Sequence, residues 1–112
     1  MVEIQSVEEI LAKYAAGERN FREIKGSKLD FKGADLKGID LSYADLSEAN
    51  LRGVNFRGAD LSYADLSAAN LTDADLRGTI LVGADFREAN LEGVKLQEAD
   101  YDDTTKFPSD FS

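Results

Sequence analysis

The sequence predicts a mainly β fold, a solenoid of short strand pieces joined by corners. Three observations predict it. A large apolar residue stands at every fifth position from 31 to 101. The positions two before them hold ten alanines and two valines, with Leu29, Ile39 and Thr79 at the rest. The chain also matches itself best at a shift of 20: residues 41–60 then score 12 identities, against 9 at a shift of 5 or 15 and 4 at a shift of 10.

The spacing of five excludes both regular elements. Five residues advance a helix by ~500°, which scatters successive leucines around its axis. In a continuous strand an odd spacing sends each leucine to the opposite face. A short strand piece followed by a turn succeeds. In "LSYADLSAANL", residues 61–71, Ala64 and Leu66 share a face and Asp65 points the other way. The next two residues turn the corner. Four such units close a square, and the following coil stacks on the first. The inward ladder is Leu36, Leu41, Leu46, Leu51, Phe56, Leu61, Leu66, Leu71, Leu76, Leu81, Phe86, Leu91 and Leu96, extended by Phe31 and Tyr101. Large and small residues alternate along it, which suits a narrow core. Corner glycines such as Gly53 and Gly78 fit a turn that needs positive φ.

Both ends of such a solenoid need covering, because an open end exposes core and unpaired backbone. Ser6 with Glu9 reads as a capping box, and Glu8 and Glu9 suit a helix dipole. Val7, Ile10, Leu11 and Tyr14 form an apolar stripe, and Gly17 is a stop. The spacing predicts a capping helix over about 7–16, lying on the first coil. Gly26 stands where a leucine belongs, and Tyr14 is expected to fill the gap. The repeats run over about 21–103. Residues 104–112 are expected to fold over the last coil through Phe107, Pro108 and Phe111. All of it makes one domain, 1–112.

Composition narrows the chemistry. The 112 residues carry 22 acidic and 13 basic side chains, a net charge of −9. Such a chain is repelled by nucleic-acid phosphates and by anionic membranes, so neither is an expected partner. There is no cysteine and no histidine. That removes thiolate chemistry, the commonest general base and the commonest transition-metal ligand. "DLS" recurs at 40–42, 45–47, 60–62 and 65–67 without a base to activate its serine. No enzyme activity and no cofactor are expected. No apolar run approaches the ~20 residues that span a bilayer. The first ten residues lack the basic and apolar regions of a secretory signal, and a cytoplasmic protein is expected.

Stacked coils place residues twenty apart above one another, ~4.8 Å apart. One face then carries Asp45, Asp65 and Asp85, with Glu48 and Glu88. A second carries Asp40, Asp60, Asp100, Asp102 and Asp103. A third carries Asn50, Asn70 and Asn90, and the fourth a basic ridge of Lys37, Arg57 and Arg77 beside Asp35 and Asp75. These carboxylates stand in lines and do not converge as a hard cation requires, so they read as solvated ladders of like charge with no metal. Charge also runs along the axis: −3 over 1–18, +2 over 19–57 and −8 over 58–112. One surface departure stands out. Ile80 and Val82 replace outward polar residues, and Tyr43 and Tyr63 stack at the corner of the same face. These four form the candidate interaction patch.

Tandem A(D/N)LXX units from about Phe21 to Asp103 resemble the pentapeptide-repeat family. The flanks "VEEILAKYAAGERNF" and "YDDTTKFPSDF" resemble those of small bacterial, notably cyanobacterial, members. The resemblance implies a right-handed quadrilateral β-helix with one pentapeptide per face and twenty residues per coil. Some members are non-catalytic modules without an assigned role, and some dimerise through one end. Others act as acidic mimics of duplex DNA that bind or inhibit a type II topoisomerase, DNA gyrase. About four coils at ~4.8 Å make a rod of only ~20 Å, and the basic ridge interrupts the mimicry. The favoured expectation is a protein-interaction or structural module, monomeric or weakly dimeric, whose partner is another protein. The alternative is the acidic DNA mimic.

Overall fold

The computed structural model describes residues 6–111. Met1–Gln5 and Ser112, the last residue of the expected C-terminal segment, lie outside the described residues. Helix α1 (Val7–Ala15) leads into a β-solenoid, and the described part measures 37 × 24 × 21 Å.

Parallel bridges join residues twenty apart in four columns. Asp45, Asp65 and Asp85 make one, and Asp40, Asp60, Ile80 and Asp100 another. Each unit bonds to the next coil in the same way. Leu46 N–H donates to Asp65 O at 2.8 Å, Glu48 N–H to Ser67 O at 2.9 Å, and Asp65 N–H returns to Ala44 O at 2.9 Å. The backbone polar groups of each coil are thus met by the coil above or below, as burial demands. At the corner Ala49 N–H bonds back to Leu46 O at 3.1 Å. The third residue of that turn takes positive φ, the requirement of a type II turn. Glycine holds this position in several units. Glu48 (φ 59°), Tyr43 (φ 62°) and Tyr63 (φ 59°) adopt it with full side chains.

The interior is apolar and narrow. Leu36 through Phe86 of the ladder are buried, and so are the alanines before them from Ala44 to Ala84. Thr79 takes an alanine position with no exposure, its hydroxyl donating to Leu76 O at 2.7 Å. Leu91 and Leu96 are only half-buried, and Tyr101 is 51% exposed. The inward reading of Tyr101 is therefore corrected. No further coil lies over it, and it meets Phe107 edge-on at 5.3 Å.

The two ends are covered differently. Ser6 caps α1, its side chain accepting from Glu9 N–H at 3.1 Å, and Ala16 is the C-cap. Ile10 is buried, while Val7, Leu11 and Tyr14 pack on the core at its margin. Tyr14 does not supply the group nearest Gly26. The closest atoms to a side chain there belong to Leu46, Asp45 and Leu29. The Tyr14 hydroxyl instead donates to Lys37 O at 2.5 Å, satisfying a carbonyl on the open edge of the first coil. At the other end the five-residue pattern lapses after Asp103, yet the solenoid register resumes one residue late. Lys106, not residue 105, bridges to Asp85, and Phe86 N–H donates to Lys106 O at 2.6 Å. The slip seats Phe107 flat over Phe86 at 5.7 Å, with Phe111 stacked on Phe107 at 4.8 Å.

Leu66→Ala is expected to destabilise the protein by about 2–5 kcal/mol in denaturant unfolding, since a leucine removed from so tight a stack leaves a cavity. Leu66→Asp, which places an unpaired charge there, is expected to abolish the cooperative melt. A wild-type melting temperature in that variant would contradict the inward placement.

Candidate interaction face

Most of the outward Asp and Asn residues do more than face solvent. From Asn20 to Asn90, every Asp or Asn in the position before the central residue turns its Oδ1 back onto its own chain. There it accepts the N–H two residues on, at 2.9–3.3 Å. This is an Asx turn repeated at the corners. Where a serine or threonine follows, its hydroxyl donates to the same oxygen, as Ser62 does to Asp60 at 2.6 Å and Thr72 to Asn70 at 2.6 Å. The signal was in the sequence: the position accepts Asp and Asn but never Glu or Gln, whose longer arms miss this geometry. Reading the acids as a solvated face overlooked it.

Arginine in the following position uses both carboxylate oxygens. Arg77 grips Asp75 and Arg87 grips Asp85, each bidentately with a shortest contact of 2.7 Å. The Arg77 hydrogen bond is the main reason that the Asp75 carboxyl is held down to about 2. Asp85 is lowered for the same reason, through Arg87, and Asp102 through the Thr104 hydroxyl and N–H. Lys37 reaches Asp35 more loosely, at 3.6 Å. The basic ridge is therefore partly engaged within its own units.

Against this background the four patch residues stand apart. Ile80 lies in register between Asp60 and Asp100 and is 41% exposed. Val82 is half-buried, its carbonyl accepting from Tyr63 N–H at 2.9 Å. Together they replace both members of the Asp–Ser pair that the two coils before them carry as Asp40–Ser42 and Asp60–Ser62. At the adjoining corner the Tyr43 and Tyr63 rings stack at 5.1 Å and 13°. Tyr63 lies over Gly83, where any side chain would collide with its ring. Arg22 covers the other end, its guanidinium 5.5 Å from the Tyr43 ring and its Nε donating to Ser42 Oγ at 3.0 Å. The rings are thus braced in a column with about half their surface in solvent.

Other chemistry finds no comparable setting among the described residues. A cleft of about 930 Å³ lies against the C-terminal segment, lined by Asp65, Asp85, Arg87, Glu88 and Pro108, with Arg87 already bound to Asp85. No group of three or more acidic side chains there is placed to hold a metal ion. No described helix is long and apolar enough to cross a membrane.

The turn chemistry predicts that Asp65→Asn keeps near wild-type stability while Asp65→Ala loses about 1 kcal/mol in urea unfolding, because only asparagine retains the acceptor. The Asp75 pairing has its own pH signature. Its folded carboxyl sits near 2 against an ordinary 3.8, so its contribution is fully present above about pH 4 and is lost as pH falls toward 2. In Arg77→Ala the Asp75 carboxyl, followed by NMR, is expected to titrate back toward the ordinary range.

The comparisons with known proteins agree with this architecture. The family model described as pentapeptide repeats matches residues 30–73 and 69–100, with eight copies. The crystal structure of alr5209, a pentapeptide repeat protein from Nostoc Pcc 7120, superposes with a TM-score of 0.96 at 51% identity, over 100% of this chain and 93% of that one. HetL, a pentapeptide repeat protein involved in heterocyst differentiation regulation in the cyanobacterium Nostoc sp. strain PCC 7120, is 38% identical with a TM-score of 0.60. That match covers 85% of this chain and 48% of HetL. No curated protein matches the chain. An Asx turn repeated at five-residue spacing, coils paired at twenty, and matches covering more than half of the chain place this protein in the pentapeptide-repeat family.

Proposed function

We propose that this protein is a non-catalytic interaction module, and that the face bearing Tyr43, Tyr63, Ile80 and Val82 docks another protein. The solenoid is taken as a right-handed quadrilateral β-helix of about four coils, presenting that face as a rigid surface. The observation that carries the proposal is the joint loss of the Asp–Ser pair at Ile80 and Val82. Every Asp or Asn that holds the position before the central residue from Asn20 to Asn90 closes its own turn. Here the turn's stabilising acceptor is given up for exposed aliphatic surface beside a braced aromatic column. Contiguous apolar surface of this kind marks interfaces.

Mimicry of duplex DNA has less support. Lys37, Arg57 and Arg77 line one face, and the inter-coil bridges extend over few coils. The involvement of HetL in differentiation regulation is compatible with a binding role.

The test restores the repeat's own chemistry. Ile80→Asp/Val82→Ser rebuilds the Asp–Ser pair and is expected to melt at or above the wild-type temperature. In affinity capture from native extract of the source cells, wild type is expected to retain a protein that this variant loses. Equal retention by both would remove the face from the interaction.

A further inference from the structure

Resting on that reading, we infer that the docked segment is cationic: an extended protein segment that lays the aliphatic stem of an arginine or lysine along Ile80 and Val82 and sets its charge against Asp60 and Asp100.

The column through this face runs Asp40, Asp60, Ile80, Asp100, in register through parallel bridges. Neighbours in it stand ~4.8 Å apart. Ile80 is thus an aliphatic step between two carboxylates. Asp60 spends only Oδ1 on its turn, receiving Ser62 N–H at 2.9 Å and Ser62 Oγ at 2.6 Å, and no described group donates to its Oδ2. Asp100 is freer still. It is exposed, and no described group donates to its carboxylate. The N–H that an Asx turn would bring to it, that of Asp102, goes instead to Thr105 Oγ1 at 3.3 Å. Turn chemistry explains Asp40 and Asp60 and leaves Asp100 unexplained.

Ile80, Val82 and Asp100 therefore depart from the repeat's rule at adjacent positions of one face. Arg22 is held by Ser42 and the Tyr43 ring, and Arg87 by Asp85. The charge of −8 over residues 58–112 surrounds the same region. Long cationic side chains bury their stems on apolar surface while the head seeks carboxylate.

Three octapeptides test it: alternating arginine–valine, serine–valine and glutamate–valine. Each is titrated into the full chain while the Ile80 and Val82 methyl and Tyr43 and Tyr63 ring resonances are followed. The arginine–valine peptide is expected to shift all four residues and the glutamate–valine peptide none. Asp60→Asn/Asp100→Asn should weaken the arginine–valine peptide about tenfold, the scale of two exposed ion pairs. Asparagine closes the same turn at Asn50, Asn55 and Asn70, so this variant is expected to keep its fold, with an unchanged melting temperature as the control. If serine–valine binds as tightly as arginine–valine and the double variant changes neither, cation recognition is overturned while the docking face stands. If no peptide shifts any of the four residues, both are overturned.

Discussion

Each coil must bring the backbone back over itself after twenty residues, one strand spacing higher, with its N–H and C=O groups aligned to those of the next coil. The bonds of Leu46, Glu48 and Asp65 to neighbouring coils repeat this arrangement on each face. A strand piece only one bridge wide has no sheet of its own, so beyond the corner bonds its backbone pairing comes from stacking. Three further demands follow from it. The interior admits one large and one small side chain per unit. The corner needs a residue of positive φ. The residue before the ladder must close the turn from outside.

That last demand governs the surface. Asp and Asn are short enough to return their Oδ1 to the N–H two residues on, so the aspartates before the ladder, from Asp30 to Asp85, belong to the fold's own hydrogen bonding. Arg77 and Arg87 draw further on the same carboxylates. Function has to be sought where the rule is broken. Lys25 and Lys95 break it with solvated charge, whereas Ile80 and Val82 break it with exposed aliphatic surface next to stacked rings. A repeat protein gives unusual power to this comparison, because the neighbouring coils state what the position ordinarily holds.

The ends show the same constraint from the other side. An unstacked coil presents unpaired groups and half-covered apolar residues. At the first coil the Tyr14 hydroxyl meets Lys37 O and Ile10 is buried under α1. At the last, the single-residue slip before Lys106 lets the chain continue one more pairing and lay Phe107 on Phe86. Leu91 and Leu96 keep part of their surface because that segment crosses only one side of the coil.

The inward ladder from Leu36 to Phe86, the period of twenty and the extent of α1 to within a residue were legible in the sequence, because each depends on local spacing that repeats. The patch residues were legible as departures from that spacing. The role of the aspartates was present in the choice of Asp and Asn over their longer homologues, but it needed coordinates to be seen. Tyr101, Gly26 and the slip at Lys106 depended on tertiary structure alone. At those places no repeat stands above or below to dictate the environment, so the outcome rests on which distant side chain reaches the gap first. Leu46 and Leu29 lie nearest Gly26, and Phe107 seals Phe86 and leaves Tyr101 outside. Periodicity determines a solenoid wherever a neighbouring coil exists, and packing decides it where one does not.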